Sequence, residues 1–491
     1  MSKEKILSEK SNAVSIARNT YAIGWWLCVA VLAVSSFLFL FRLGNGAFWD
    51  TDESVYAEVM REAEVSGDYL TPKFRGENFF DKPPLYYWEG LLASKIFPGP
   101  EFAYRFPSAL AGILSVLATM LIAFEATGSI WTAASAGIIL TLFPAFLEAG
   151  RQVKLDVPVT LPILLAFYFF LRGLRNPRWY LGVGAFIGLG VMTKSVVGLF
   201  ALPAIVFYAL FFRNFSWLKS AYVWCGAILG VLIVLPWHVY ETYLFGSQFW
   251  NEYFFHLVVN RFAADIVNGS SASVGGFLTY ILQYGAPWSI LLIPLTAVLI
   301  FSKNEDRDDP FKKSSYVFAC AALSIIIVFS VSTTKVIYYS VPSFSFIALS
   351  LALTGSILYR KQNMAMFFAL LAPLILCAAL IYTIMAGFHT YGAFAALNTL
   401  ARDEKKAGLV LAANPYPEKV YEYNFGLWDT IFYYSGGRKV YLMQEDQVLN
   451  EPFFLILPTE FYRQKPFPEE LASRFTTRYS GPSLTLVSFV P

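Results

Sequence analysis

Apolar runs near 20 residues recur along this 491-residue chain, and they limit its fold more than any other feature. A helix rises 1.5 Å per residue, so such a run crosses about 30 Å of hydrocarbon. The runs predict spans near 22–41, 106–124, 131–147, 157–171, 180–193, 196–212, 221–240, 277–301, 316–332, 336–357 and 365–387, about eleven in all. The pairs 180–193/196–212 and 316–332/336–357 have almost no loop between them. Only 14% of residues are charged, against roughly 25% in soluble domains. The fold class expected is a polytopic α-helical membrane protein, in contact with membrane lipids. No nucleic-acid motif or P-loop is present, and a net charge of +3 names no partner.

Lysine and arginine set the expected orientation. The basic start "MSKEKILSEK", taken as cytoplasmic, puts "RGLRNPR", "RNFSWLK", "SKNEDRDDPFKK" and "YRKQN" on the same side. An odd number of spans then places the C-terminal tail outside. The first loop (42–105), the "EAGRQVKLD" loop and the 241–276 loop follow it. Cys28, Cys225, Cys320 and Cys377 all lie in apolar runs, so they are expected to be small hydrophobes and not disulfide or metal residues.

Residues 1–390 are expected to form the membrane domain and 391–491 a small outer α/β domain. There "KVYEYNF", "RKVYLM" and "FFLILP" are strand-like, and "LWDTIFYYSGG" suits a short helix ended by glycine.

The span centres hold almost no charge, whereas an ion or proton pathway needs ionisable groups at depth. Acids and bases gather instead in the outer loops, which favours chemistry at one membrane face. In "FWDTDESVYAEVMREAEVSGDYLTP", Asp50 and Glu53 make a capping-box-like start. Val55, Tyr56, Val59, Met60 and Ala63 follow at helical spacing, which predicts an amphipathic interfacial helix ending near Gly67. Asp52 lies in its first turn, where the bland role is dipole stabilisation of about 0.3–1 kcal/mol.

"NFFDKPPLYYW" sets Asp81 and Lys82 before two prolines. Pro83 keeps Lys82 out of helical geometry, and Pro84 suits the start of the next helix. A lysine beside a helix N-terminus makes a plausible phosphate socket. The alternative is a local ion pair, worth about 0–1 kcal/mol if exposed. Asp156 stands just before a span; His256 and Arg261 share "FFHLVVNRF"; Lys335, Tyr338 and Tyr339 share "STTKVIYYSVPSF". For these three groups the alternatives are packing and interfacial anchoring.

"DESVY", "SGDYLTPKFRGENFFDKPPLYYW" and "FAYRFPSAL" resemble the first outer loop of GT-C glycosyltransferases. The group they resemble most is the bacterial transferases that add 4-amino-4-deoxyarabinose to lipid A, with their protein-mannosyltransferase relatives. "KLDVPVT", "FFHLVVNRF" and "STTKVIYYSVPSFSFIALSLA" follow in matching order. The resemblance implies about thirteen spans. It also implies an inner-membrane enzyme with a polyprenyl-phosphate (undecaprenyl phosphate) sugar donor, lipid A or another outer-leaflet acceptor, and no soluble nucleotide. Asp52 and Asp156 match its pocket acids and Tyr56 a tyrosine lining the site. Lys82 and Arg261 match groups on the lipid phosphate. Lys335 and Tyr339 match a further binding segment completed by Pro342. Asp81 and His256 match positions that hold a divalent metal, zinc, in the lipid A enzymes. The first alternative is a protein O-glycosyltransferase or another cell-envelope glycan transferase of the same fold, and the second is a non-enzymatic lipid-linked sugar transporter.

Overall fold

A computed structural model describes residues 3–48, 52–263, 273–291, 309–333, 335–360, 393–414, 420–422, 429–436, 440–442, 452–463 and 474–490. Its first helices are α1 (Lys3–Leu40), α2 (Asp52–Ser66), α3 (Leu85–Ser94), α4 (Pro100–Thr127), α5 (Ile130–Thr141), α6 (Pro144–Ala149), α7 (Asp156–Gly173), α8 (Tyr180–Lys194), α9 (Ala201–Phe212) and α10 (Ala221–Phe245). Seven stretches among the described residues are long and apolar enough to cross a membrane: Tyr21–Leu40, Pro100–Thr127, Asp156–Gly173, Pro177–Phe212, Ala221–Phe245, Pro310–Val331 and Tyr338–Leu358. This is a multi-pass membrane architecture. The run expected at 131–147 divides into α5 and α6 where Pro144 opens a new helix. The run at 365–387 and much of 277–301 lie outside the described residues, as do Asp50 and Cys377. Cys28 is buried, but Cys225 is exposed on an apolar helix, a surface that suits lipid better than a protein core.

The chain divides into two compact units. One gathers Met1–Phe41, Phe80–Tyr86 and Pro107–Tyr382; the other gathers Arg42–Phe79, Tyr87–Phe106 and Thr383–Pro491.

In the first unit, close packing rests on small residues, as in other membrane bundles. Gly184 and Gly188 of α8 lie against Gly226 and Gly230 of α10, and a Cβ on Gly184 would sit 1.7 Å from the Gly226 carbonyl oxygen. α8 stops at Lys194 because Ser195 adopts φ 50°, ψ −136°, a conformation costly for any residue but glycine (about 1–3 kcal/mol). A 3-10 turn, Ser195–Phe200, follows. A Cβ on Gly198 would then lie 2.2 Å from the Gly190 carbonyl carbon. In a straight helix residues eight apart lie about 12 Å apart, so the chain reverses here. That reversal explains why 180–193 and 196–212 need no ordinary loop.

The second unit holds α2, a hairpin and a mixed sheet. Strands β1 (Lys73–Phe74) and β2 (Glu77–Asn78) are joined by Arg75 and Gly76, with φ 56° and 78°. Two positive φ values match the two-residue turn that suits strand twist. The sheet comprises β3 (Val420–Glu422), β4 (Val440–Leu442), β5 (Phe453–Pro458), β6 (Phe475–Ser480) and β7 (Leu484–Phe489). Its order is β4-β3-β5-β7-β6, parallel from β4 to β5 and antiparallel beyond. Both faces are covered. Phe454, Ile456, Leu484 and Leu486 pack with Ala407 and Leu411 of the helix Ala393–Ala413, while Phe453, Leu455, Val487 and Phe489 pack on the other side. This is why "FFLILP" is apolar at every position and does not alternate. The helix Asp429–Tyr434 ends before Gly436 at φ 75°.

Candidate functional site

In the first unit, Lys82 Nζ lies 2.7 Å from Asp81 Oδ2 and donates also to the Asp81 carbonyl at 3.1 Å. Pro83 and Pro84 are buried beside it, and α3 begins at Leu85 as the prolines predict. The Asp81 and Lys82 side chains are only 13% and 11% exposed, so this is not the solvated surface pair of the bland alternative. Phe80 anchors the segment. Its ring packs edge-on against Phe245 and Phe249 at 5.2 and 5.3 Å.

Tyr86 connects the same segment to the 148–156 loop. Its hydroxyl meets Ser108 Oγ at 2.8 Å, and Ser108 donates to the Lys154 carbonyl at 2.9 Å. Lys154 Nζ stands 3.2 Å above the Tyr338 ring, a cation–π contact. Glu148 faces Lys154 and Tyr338; burial pushes its carboxyl above the usual range, while both neighbours pull it down. Arg151 fixes the loop from behind. It donates to the carbonyls of Leu38, Phe39 and Phe41, the open acceptors at the end of α1.

Asp156, in the first turn of α7, is buried. Its Oδ1 accepts from Lys194 Nζ at 2.5 Å, and Lys194 also lies 5.0 Å from the Tyr339 ring. Asp156 is therefore neutralised by a cation, and a free-base role would require that pair to open. Lys335 is half-buried in the segment before Tyr338 and Tyr339. The Thr333 N–H donates to the Phe262 carbonyl at 3.0 Å, which joins this segment to the one carrying His256 and Arg261. His256 is exposed on the π-helix Asn251–Asn260. The Arg261 backbone is helical, and its side chain lies outside the described residues.

The structure thus gathers Lys154, Asp156, Lys194, Tyr338 and Tyr339, with Asp81 and Lys82 tied to them through Tyr86 and Ser108. Lys194 belongs to none of the sequence motifs above. Its signal was a lysine inside an apolar hairpin, in "VMTKSVV".

In the second unit, Asp52 opens α2 and is half-buried. Tyr56 is buried, 6.0 Å from the Tyr87 ring. α2 is covered further than its apolar stripe predicts, with Glu53 and Glu58 both buried. Arg105 explains Glu53: it holds both carboxylate oxygens, at 2.7 and 3.0 Å, and donates to the Leu43 and Ala47 carbonyls. "FAYRFPSAL" thus contributes a buried organiser of the first loop, not a substrate group.

For a metal, Asp81 and His256 are the pair implied by the resemblance. A closed zinc site takes about four ligands. Among the described residues no three His, Cys, Asp or Glu gather around a common point, and Asp81 Oδ2 already holds the Lys82 ammonium. The donor set does not fit a closed metal site.

Residues 81–240 match the family model "Dolichyl-phosphate-mannose-protein mannosyltransferase". A crystal structure of ArnT from Cupriavidus metallidurans bound to undecaprenyl phosphate superimposes with a TM-score of 0.72, covering 96% of this chain and 98% of that one at 20% identity. The chain has the GT-C fold. The same fold extends to the oligosaccharyltransferase of Archaeoglobus fulgidus, with a TM-score of 0.56 over 89% of this chain and 70% of that one at 12% identity. In sequence, the chain is 29% identical over 343 residues to an undecaprenyl phosphate-alpha-4-amino-4-deoxy-L-arabinose arabinosyl transferase of Sodalis glossinidius. That match covers 68% of this chain. It spans 59% of the relative's length, less than two thirds. This GT-C chain therefore resembles both the arabinosyl transferases and the protein mannosyltransferases.

Proposed function

We propose that the protein is an inner-membrane glycosyltransferase that moves a sugar from a polyprenyl phosphate, undecaprenyl phosphate in bacteria, to lipid A or a related outer-leaflet acceptor. The observation that carries this reading is the set of lysines and tyrosines joined within one unit: Lys82, Lys154, Lys194, Tyr338 and Tyr339. Such a set suits an anionic lipid phosphate flanked by a sugar ring. The names of the relatives supply the donor class, and the acceptor is inferred from them.

In this scheme the acceptor oxygen attacks the anomeric carbon and the carbon–oxygen bond to phosphate breaks. The electron pair leaves on the phosphate, which regenerates the lipid phosphate. One displacement inverts the anomeric centre. Lys82 and Arg261 stabilise the charge that grows on the leaving group. Tyr56, Lys335 and Tyr339 are assigned to substrate binding. Asp52 takes the acceptor proton if the nucleophile is a hydroxyl. With an ionised phosphate acceptor it orients the nucleophile. The N-terminus is assigned to the cytoplasm and the C-terminal domain to the outer side.

The match to the protein-mannosyltransferase model favours a second reading, a protein hydroxyl as acceptor. Purified protein in lipid nanodiscs, given undecaprenyl-phosphate sugars with lipid A or with secreted protein, separates the two by mass spectrometry of the acceptors. Asp52→Asn is expected to cut transfer by about 10²-fold or more while folding and lipid-phosphate binding persist. Transfer at the wild-type rate in that variant would sink the assignment.

A further inference from the structure

In the second unit, one phenyl ring joins the first loop to the sheet domain. Phe48 is fully buried, four residues before Asp52. Its ring stands perpendicular to the Tyr433 ring at 5.0 Å and stacks on those of Tyr104 and Tyr434, at 6.0 and 6.2 Å. Arg105, which holds Glu53 and the carbonyls of the 43–47 segment, lies 5.3 Å from the centre of the same ring.

The backbone of Phe48 is held as well. Its N–H donates to the Tyr434 hydroxyl at 3.1 Å, across 386 residues of sequence. The hydroxyl in turn donates to Glu101 Oε1 at 2.8 Å, because a carboxylate only accepts. Lys405 pairs with the same oxygen and lies 4.9 Å from the centre of the Tyr434 ring. Thr430 donates to the Phe48 carbonyl at 3.4 Å. Tyr434 and Thr430 belong to the helix Asp429–Tyr434, and Lys405 to the helix Ala393–Ala413. Gly408 lets these two helices meet: a Cβ there would lie 2.7 Å from Tyr434 Cβ. The C-terminal domain thus builds the seat of Tyr434, and the hydroxyl reaches the segment that leads into α2.

We infer that Tyr434 is a positioning residue: from the C-terminal domain it pins Phe48, and through Phe48 and Arg105 it fixes the first turn of α2, which carries Asp52. The effect on sugar transfer rests on the function proposed above; the pinning itself does not.

The test is amide hydrogen exchange of the intact purified chain in lipid nanodiscs, read by mass spectrometry. Tyr434→Phe keeps the ring and its packing but removes the hydroxyl. The Phe48 N–H is then buried without this acceptor, so the segment should open more easily. Exchange across residues 43–48 should speed up by about threefold to tenfold, the scale of one hydrogen bond, while β5 and β7 keep their wild-type rates. Turnover should fall several-fold with undecaprenyl-phosphate affinity unchanged. Thr430→Val removes the other bond from the same helix and serves if the first variant folds poorly. Unchanged exchange across 43–48 in both variants overturns the inference. So does equal acceleration in β5 and β7, which marks general loosening. Faster exchange across 43–48 with wild-type turnover also overturns it, since the pinned turn would then not matter to transfer. A wild type that transfers no sugar but shows this exchange pattern rejects the transferase and supports the pinning.

Discussion

Among the described residues, two of the acid–lysine contacts in the membrane unit, Asp81–Lys82 and Asp156–Lys194, differ in how they come to exist. Asp81 and Lys82 are neighbours in the chain, so their charges are close in the unfolded ensemble too. Asp156 and Lys194 are separated by 38 residues and meet only when α7 and α8 pack. Folding gains little from the first pair and must form the second one entire. The adjacent pair can therefore open toward a ligand at less cost to the fold than the distant one. The distant pair is bound up with the fold itself. The difference is one of commitment, since both pairs are largely buried.

The largest expected effect breaks the distant pair. Lys194→Met leaves the Asp156 carboxylate buried without its cation, which costs about 3–5 kcal/mol. Thermal unfolding in detergent should show a large fall in melting temperature. Adding Asp156→Leu to the same protein should restore much of it, since an apolar pair of similar volume is often no less stable. A single variant as stable as wild type would mean that the pair opens readily, and Asp156 would return as a candidate base.

The second effect concerns the adjacent pair. Lys82→Met should destabilise less than Lys194→Met, because the Asp81 and Lys82 charges are close in the unfolded chain too, and should weaken undecaprenyl-phosphate binding by roughly 1.5–3 kcal/mol. Titration of the purified protein with that lipid measures it. Intact binding together with a large stability loss would reverse the roles assigned to the two pairs.

The same contrast explains what the sequence could tell. Apolar runs, the Arg75-Gly76 turn, the strand "FFLILP" and the Asp81–Lys82 corner are local signals, carried by residues within a few positions of each other. The partners of Asp156 and Glu53 are not. Lys194 sits at a strained break that no propensity scale anticipates, because a serine with positive φ is held there by its surroundings. Arg105 lies in "FAYRFPSAL", yet nothing local shows that it turns back to the 43–47 carbonyls. Asp156 was legible as a pocket acid only through resemblance, and its neutralisation by Lys194 was not legible at all.

A third pair sharpens the comparison by combining local spacing with a fully buried acid. Glu58 accepts from Arg61, three residues on, at 2.5 and 2.8 Å. Burial pushes the Glu58 carboxyl up to about 7, against the pull of Arg61 and with a further push from Glu62. The folded chain thus keeps a proton that the unfolded chain releases near 4.5. The stability this group adds is full below 4.5 and is lost as pH rises through about 7. Melting curves across that window should fall by the equivalent of about 1–3 kcal/mol, and Glu58→Gln should flatten the slope. A slope of the opposite sign in wild type would show that the Arg61 pairing outweighs burial.

The smallest effect separates a phosphate socket from a metal site at the same corner. Asp81 Oδ2 and the donor phosphate are rivals for one ammonium, Lys82 Nζ. In Asp81→Asn the amide still accepts a hydrogen bond, and Lys82 keeps its bond to the Asp81 backbone carbonyl, so the side chain stays in place. Its charge is then no longer cancelled. Binding of undecaprenyl phosphate should tighten, because the phosphate no longer competes with the Asp81 carboxylate for the Lys82 ammonium. The opposite is expected if Asp81 holds a divalent ion: an amide is a poor replacement for a carboxylate, so affinity and metal content should fall together. Lipid titration and elemental analysis on one preparation give both numbers. Weaker binding with metal lost would restore the Asp81–His256 pair as ligands and require a further donor among residues that the described structure does not place. Tighter binding with metal content unchanged leaves Asp81 as the residue that holds Lys82 in reserve until the phosphate arrives.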